Sequence, residues 1–184
     1  MKRSNTFKIT IMSIAVVINI VGAFIATTLK LPIFIDTIGT FLSAFLFGPV
    51  GGMLTGMVTS LINGLTFDPY SLYFIPVQAI IGLMAGICYK KNLFKGKFLI
   101  LGIIITTVMG SIVASLISAF VFGGITSSGT SFIVMYLKEA GVNIVTSVFS
   151  TQILFDLIDK GITVLLVLTI LKALPANIKV TSRV

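Results

Sequence analysis

The chain has 184 residues, of which 57% are hydrophobic and 10% charged, with a net charge of +8 and a mean hydropathy of +1.16. A soluble domain carries about 25% charged residues, so this chain lacks the polar surface to cover a core in water and reads as one integral membrane domain. With no histidine and a single Cys88, it offers no Ser-His-Asp triad, no HExxH metal site, no CxxC pair and no intrachain disulfide, and it holds no GxxxxGK[ST] phosphate loop.

The first apolar run, Lys8 to Leu29, has 22 residues, roughly 33 Å of helix. It follows MKRSNTFK with no small-residue cleavage site and reads as a retained helix rather than a signal peptide. The second run starts near Pro32, a residue suited to a first helical position. It passes Asp36 and breaks at Gly48-Pro49, and Val50 to Leu65 forms the third. Both are shorter than the roughly 20 residues a bilayer requires. Ser71 to Tyr89 is the fourth run, followed by the basic connection KKNLFKGK, and Phe98 to Phe122 is the fifth. A Gly/Ser/Thr loop over Gly123 to Thr130 leads to Ser131–Gly141, read as an extramembrane or interfacial lead-in, and then to one last long helix. The expectation is an all-α membrane bundle of six spans (8–29, 32–48, 50–65, 71–89, 98–122 and 142–172), with short, broken second and third spans.

Charge placement orients the bundle. Lys2, Arg3 and Lys8 precede the first span. Lys90, Lys91, Lys95 and Lys97 join the fourth and fifth. Lys172, Lys179 and Arg183 follow the last, so ten of thirteen basic residues fall on one expected side. By the positive-inside rule that side, with both termini, is cytoplasmic. Nucleic-acid binding would need the same residues gathered on one water-exposed face, and they lie instead in short connections.

Helices in lipid associate through small residues that allow close approach. Gly48, Gly52, Gly56, Ser60 and Gly64 recur every four residues, as do Gly102, Thr106, Gly110, Ala114 and Ser118, with Gly22 and Ala26 as a shorter row. These rows read first as internal packing faces and second as docking faces. Asn19, a lone amide in the first span, reads as an interhelical hydrogen bond.

The five acids, Asp36, Asp68, Glu139, Asp156 and Asp159, all fall toward the outer side. Asp156 and Lys160 are four residues apart and can pair on one face, which is the first reading of Asp156, ahead of ligand contact; Asp159 is expected to point elsewhere, toward water. Asp36 has two readings of equal weight. It caps the second helix, where the dipole favours a carboxylate, or it faces a cavity. The loop NGLTFDPYSLYF brings Asn63 and Asp68 beside Phe67, Tyr70, Tyr73 and Phe74, as an aromatic belt at the interface or as a lid over a solute. Short, Gly/Pro-interrupted spans point to a membrane binding site. The candidate site therefore has Asp36, its neighbour Thr37, Asn63 and Asp68 as hydrogen-bonding groups, and Phe67, Tyr70 and Tyr73 over a ring. Asp156 lies on the last helix, and Glu139 and Asn143 face from the opposite side. No cofactor and no metal are called for.

LPIFIDTIGTFLSAFLFGPVGGMLTG, the NGLTFDP loop and DLIDKGITVLLVLTILKALP together resemble an S component of an energy-coupling factor transporter, over nearly the whole chain. The resemblance implies a subunit that binds a water-soluble vitamin from outside and docks on a membrane T subunit with two cytoplasmic ATPases. It also implies that the S component topples in the membrane during import, and that the ligand is covered by the first, third and fifth outer loops. Those loops are the regions of Asp36, of Asn63 to Tyr73, and of Glu139 and Asn143. The family's AxxxA docking motif on the first helix is incomplete, since Ala15 is followed at +4 by Asn19. An excess of acids outside leans toward a B6-type or thiamine-related vitamin over an anionic one, with riboflavin also compatible. A membrane sensor domain, a stand-alone secondary carrier and an intramembrane Asp-pair enzyme are the competing classes. The chain's end about a dozen residues after the last helix counts against the sensor, and no clear Asp motif supports the enzyme. Co-purification with a T subunit and ATPases separates the first reading from the rest.

Overall fold

A computed structural model describes residues 5–175; Lys2, Arg3, Lys179 and Arg183, part of the charge argument above, lie outside them. The chain folds as α1 (Asn5–Thr28), α2 (Ile38–Phe47), α3 (Pro49–Thr66), α4 (Ile75–Lys90), α5 (Leu99–Phe122), α6 (Thr130–Glu139) and α7 (Ile144–Ala173), with short 3₁₀ turns at Pro69–Leu72 and Gly96–Phe98. No strand occurs among the described residues. Asn5–Thr28 and Gly96–Phe122 are long and apolar enough to cross a membrane, while Ile38–Phe47 and Ile75–Lys90 are apolar but shorter.

On α1 and α3 the radial distribution of residues is the reverse of a water-soluble protein. On α1 the outward residues are Ile14, Val17, Val21, Phe24 and Ile25, and Ala15, Asn19, Gly22 and Ala26 are buried. On α3, Val50, Leu54, Val58 and Leu61 face out while Gly52, Thr55, Gly56 and Thr59 face in. Large apolar side chains gain little by leaving lipid, so the inner faces of these two helices go to small and hydrogen-bonding residues that pack closely, while Phe41, Phe45 and Leu46 of α2 fill the core beside them.

The glycine rows are internal. A Cβ on Gly52 would lie 2.6 Å from Gly82 O, and one on Gly82 would lie 2.3 Å from the Gly52 carbonyl carbon. A Cβ on Gly56 would lie 2.8 Å from Gln78 O, and one on Gly86 would lie 2.4 Å from Pro49 Cα. Helices α3 and α4 thus meet backbone to backbone. On α5, a Cβ on Gly110 would lie 2.7 Å from the Ile81 side chain, and Ala114 is buried in the core. Ala15 packs inward as well, its carbonyl 1.9 Å from the Cβ that Gly39 lacks. Asn19 ties three helices: its Nδ2 donates to Thr40 Oγ1 at 2.9 Å and Thr59 Oγ1 at 3.1 Å, and its Oδ1 accepts from Gly39 N at 2.7 Å. A buried amide with these partners leaves little reason for any other role.

The break between α2 and α3 is one residue. Gly48 takes φ 84°, a conformation that costs glycine little, and Pro49 opens α3, where its missing N–H is no loss. At the basic end, Phe94 is 2% exposed and lies among the core residues, its ring 5.0 Å from Phe45, which stacks on Tyr89 at 4.2 Å. The KKNLFKGK connection is thereby anchored by its one aromatic residue while its lysines stay outside.

Two local expectations are corrected. Pro32 does not open the second helix, because α2 begins at Ile38. Residues 29–37 stay irregular, as their backbone is engaged elsewhere: Gly129 N–H donates to Leu31 O at 3.2 Å, and Ile35 N–H to Asp159 Oδ1 at 2.9 Å. The fourth run becomes helical only at Ile75, after the 3₁₀ turn that Pro69 starts. The lead-in to the last helix is itself the helix α6.

Candidate functional site

A cavity of about 80 Å³ opens between α1, the irregular segment after it, α3, α4, α5, the loop before α6, and α7. Each element delivers polar groups for a local reason. Helix α3 brings Ser60 and Asn63 on the face that its glycines press against α4, and α4 brings Gln78, the residue whose backbone Gly56 packs against. The segment 29–37 brings Phe34 and Asp36, the 3₁₀ turn brings Asp68, Tyr70 and Ser71, and α7 brings Gln152, Asp156 and Lys160.

Asp36 does not cap α2. Thr37 is the N-cap residue and makes no side-chain cap bond, and the Asp36 carboxylate accepts instead from Gln78 Nε2 at 2.5 Å. That bond crosses from the first irregular segment to α4. Asp68 accepts from Ser71 Oγ at 2.7 Å, inside its own turn. Each of these pairs leaves acceptors over. Asp36 Oδ1, Asn63 Oδ1, Asp68 Oδ1 and Gln78 Oε1 are buried oxygens to which no donor among the described residues is aimed, and all four residues line the same cavity.

The floor of the cavity is a buried charge cluster on α7. Lys160 Nζ lies 2.6 Å from Asp159 Oδ2 and 3.9 Å from Asp156 Oδ1. Asp156 Oδ2 also accepts from Ser111 Oγ at 2.6 Å and Gln152 Nε2 at 3.1 Å. The Phe34 ring sits 5.9 Å from Lys160 Nζ, within cation–π range. The expectation that Asp159 meets water is wrong: it is 2% exposed. A residue three positions after Asp156 is as much its neighbour on a helix as one four positions after.

Of the residues expected from sequence, Asp36, Asn63, Asp68, Tyr70 and Asp156 line this cavity, and the others do not. Thr37 is buried beside it. Phe67 meets Phe24 edge-on at 5.4 Å. Tyr73, 56% exposed, packs against Phe122, as do Tyr70 and Phe74. Asn143 caps α7, accepting from Val145 N at 2.9 Å. Glu139 borders a separate groove of about 350 Å³ with Val134, Met135, Lys138 and Ile144. Among the packing and docking candidates, Ser60 and Ala114 line the cavity, and Ala15, Asn19, Gly52, Gly56 and Gly110 hold helices together. Gln78, Gln152 and Phe34 were not anticipated. The two amides carried a readable signal, because a lone polar side chain within an apolar run is costly unless it has a task.

No solved structure matches the chain. The riboflavin transporter RibU of Staphylococcus aureus (strain TCH60) is 29% identical over 167 residues, which cover 84% of this chain and 85% of that protein. Residues 7–171 match the family model for the ECF transporter substrate-specific component. The chain belongs to that family: it is a substrate-specific membrane component of an energy-coupling factor transporter.

Proposed function

We propose that the vitamin is riboflavin, bound from the outer side in the cavity between Asp36, Asn63, Asp68 and Gln78, and handed inward by an importer whose T subunit and two ATPases are separate chains. The reading rests on the four buried acceptor oxygens without donors. Buried acceptors are costly unless a donor reaches them, so the ligand must be rich in hydroxyl or N–H groups. A ribityl chain has four hydroxyls and the isoalloxazine ring adds an N–H, and the similar RibU is named for this vitamin. Lys160 answers only one of the two charges of Asp156 and Asp159, so an excess of acids persists; the lean toward a B6-type or thiamine-related ligand gives way to riboflavin on the likeness to RibU. Asp36 and Asp68 remain, each bonded to a neutral group. The cavity is smaller than the roughly 300 Å³ at which ligand pockets begin, so entry requires the segments over it to part.

Titration of the purified protein with riboflavin, pyridoxine and thiamine, read by calorimetry, tests the assignment. Riboflavin is expected to bind tightest. Asp36→Asn should weaken it by roughly 1.5–3 kcal/mol, the worth of a hydrogen bond to a charged group, with the melting temperature unchanged. Failure of the wild type to bind riboflavin rejects the ligand; unchanged affinity in Asp36→Asn removes Asp36 from the site.

The same reading has six spans and cytoplasmic termini. In a Cys88→Ala background, single cysteines at the exposed positions Lys95 and Ala140 distinguish the sides. An impermeant thiol reagent on intact cells should label Ala140→Cys alone, and labelling of Lys95→Cys would reverse the orientation.

A further inference from the structure

Asp159 lies beneath the site and is not among the residues lining the cavity, yet its carboxylate makes two bonds. Oδ1 accepts from the backbone N–H of Ile35 at 2.9 Å, and Oδ2 accepts from Lys160 Nζ at 2.6 Å. Ile35 has φ 53°, a left-handed backbone that a β-branched residue rarely adopts. It stands between Phe34 and Asp36, both of which line the cavity. Its carbonyl occupies the space that a side chain would take on α1, since a Cβ on Gly22 would lie 2.0 Å from Ile35 O. A strained conformation persists only where its surroundings hold it. Here the holders are a buried carboxylate on one side and a glycine notch on the other.

We propose that Asp159 is a positioning residue: by holding the Ile35 N–H it keeps the segment in its left-handed turn and so aims Asp36 at Gln78 and Phe34 over Lys160. The role rests on the cavity being the ligand site. Without the bond, Ile35 relaxes to a negative φ, the orientation of Phe34 relative to Asp36 changes, and the two no longer share one wall. Asp159 thus acts on the ligand through the backbone, and its service as counter-ion to Lys160 is a separate one.

Three variants and two readouts test this. In the unliganded protein, hydrogen exchange at the Ile35 amide should speed up in Asp159→Ala. With riboflavin as the probe, Asp159→Ala should lose at least tenfold in affinity. Adding Ile35→Gly should recover most of that loss, because glycine adopts the left-handed turn without help; a residue serving only as counter-ion to Lys160 would gain nothing from this second change. Gly22→Ala, which leaves Asp159 and Lys160 untouched, should displace the Ile35 carbonyl and weaken binding to a similar degree, and it serves even where Asp159→Ala fails to fold. Wild-type affinity in Asp159→Ala or in Gly22→Ala, or no recovery on adding Ile35→Gly, overturns the proposal. Should the wild type not bind riboflavin, the ligand assignment falls, and exchange at Ile35 alone decides: faster in Asp159→Ala upholds the latch, and unchanged rejects it.

Discussion

Lys160→Met is expected to destabilise the protein by about 3–5 kcal/mol, the usual result of removing one partner from a buried ion pair. Lys160 is 2% exposed, and its ammonium is the cation between Asp156 and Asp159. Methionine fills a similar volume and packs well, so the loss would come from charge rather than from a cavity. Two carboxylates three residues apart on one helix would then face each other without a counter-ion, and ionised groups in that setting are costly. Thermal unfolding in detergent measures the effect. Neutralising one acid as well, in Lys160→Met/Asp159→Asn, should recover part of the loss, since one buried charge is left where there were two. A single variant that melts with the wild type would mean that the three groups are not energetically coupled.

Gly82→Leu is expected to have an effect of the same order by a different route. Overpacking a core costs about 1–3 kcal/mol when side chains can shift. Here the first added carbon would lie 2.3 Å from the backbone of Gly52, and backbone in mid-helix cannot shift alone. The whole α3–α4 contact must separate, and the expected outcome is the top of that range or failure to accumulate in the membrane. Gly161→Ala is the control. It also lies in a helix interior, but its added carbon meets nothing within 4 Å, and no loss is expected. Equal melting temperatures for both variants would show that the α3–α4 contact is looser than its geometry.

Much of the helix pattern was legible in the sequence, because in lipid the signal is simple: apolar runs, and glycine or proline where they stop. Gly48-Pro49 marked its break to the residue. Pro32 misled because its local preference for a helix start competes with bonds made at long range, from Ile35 to α7 and from Leu31 to the segment before α6. Sequence spacing carries no trace of either. For the candidate site, residues at helix ends facing one another were legible as polar groups in costly places, which is how Asp36, Asn63 and Asp68 were found. Gln78 was open to the same argument. Phe67 and Tyr73 were not separable from Tyr70 by type; what separates them is which neighbour claims each ring, Phe24 in one case and Phe122 in the other.

The inward turn of the small residues has a further consequence for how this protein keeps company in the membrane. With Ala15, Gly22, Gly52 and Gly56 committed to contacts inside the bundle, the outward faces of α1 and α3 present branched and aromatic side chains. Such a surface offers another helix no notch for its backbone, and lipid tails satisfy the same methyl groups equally well. An encounter there gains little over solvation by lipid, and so is easily undone.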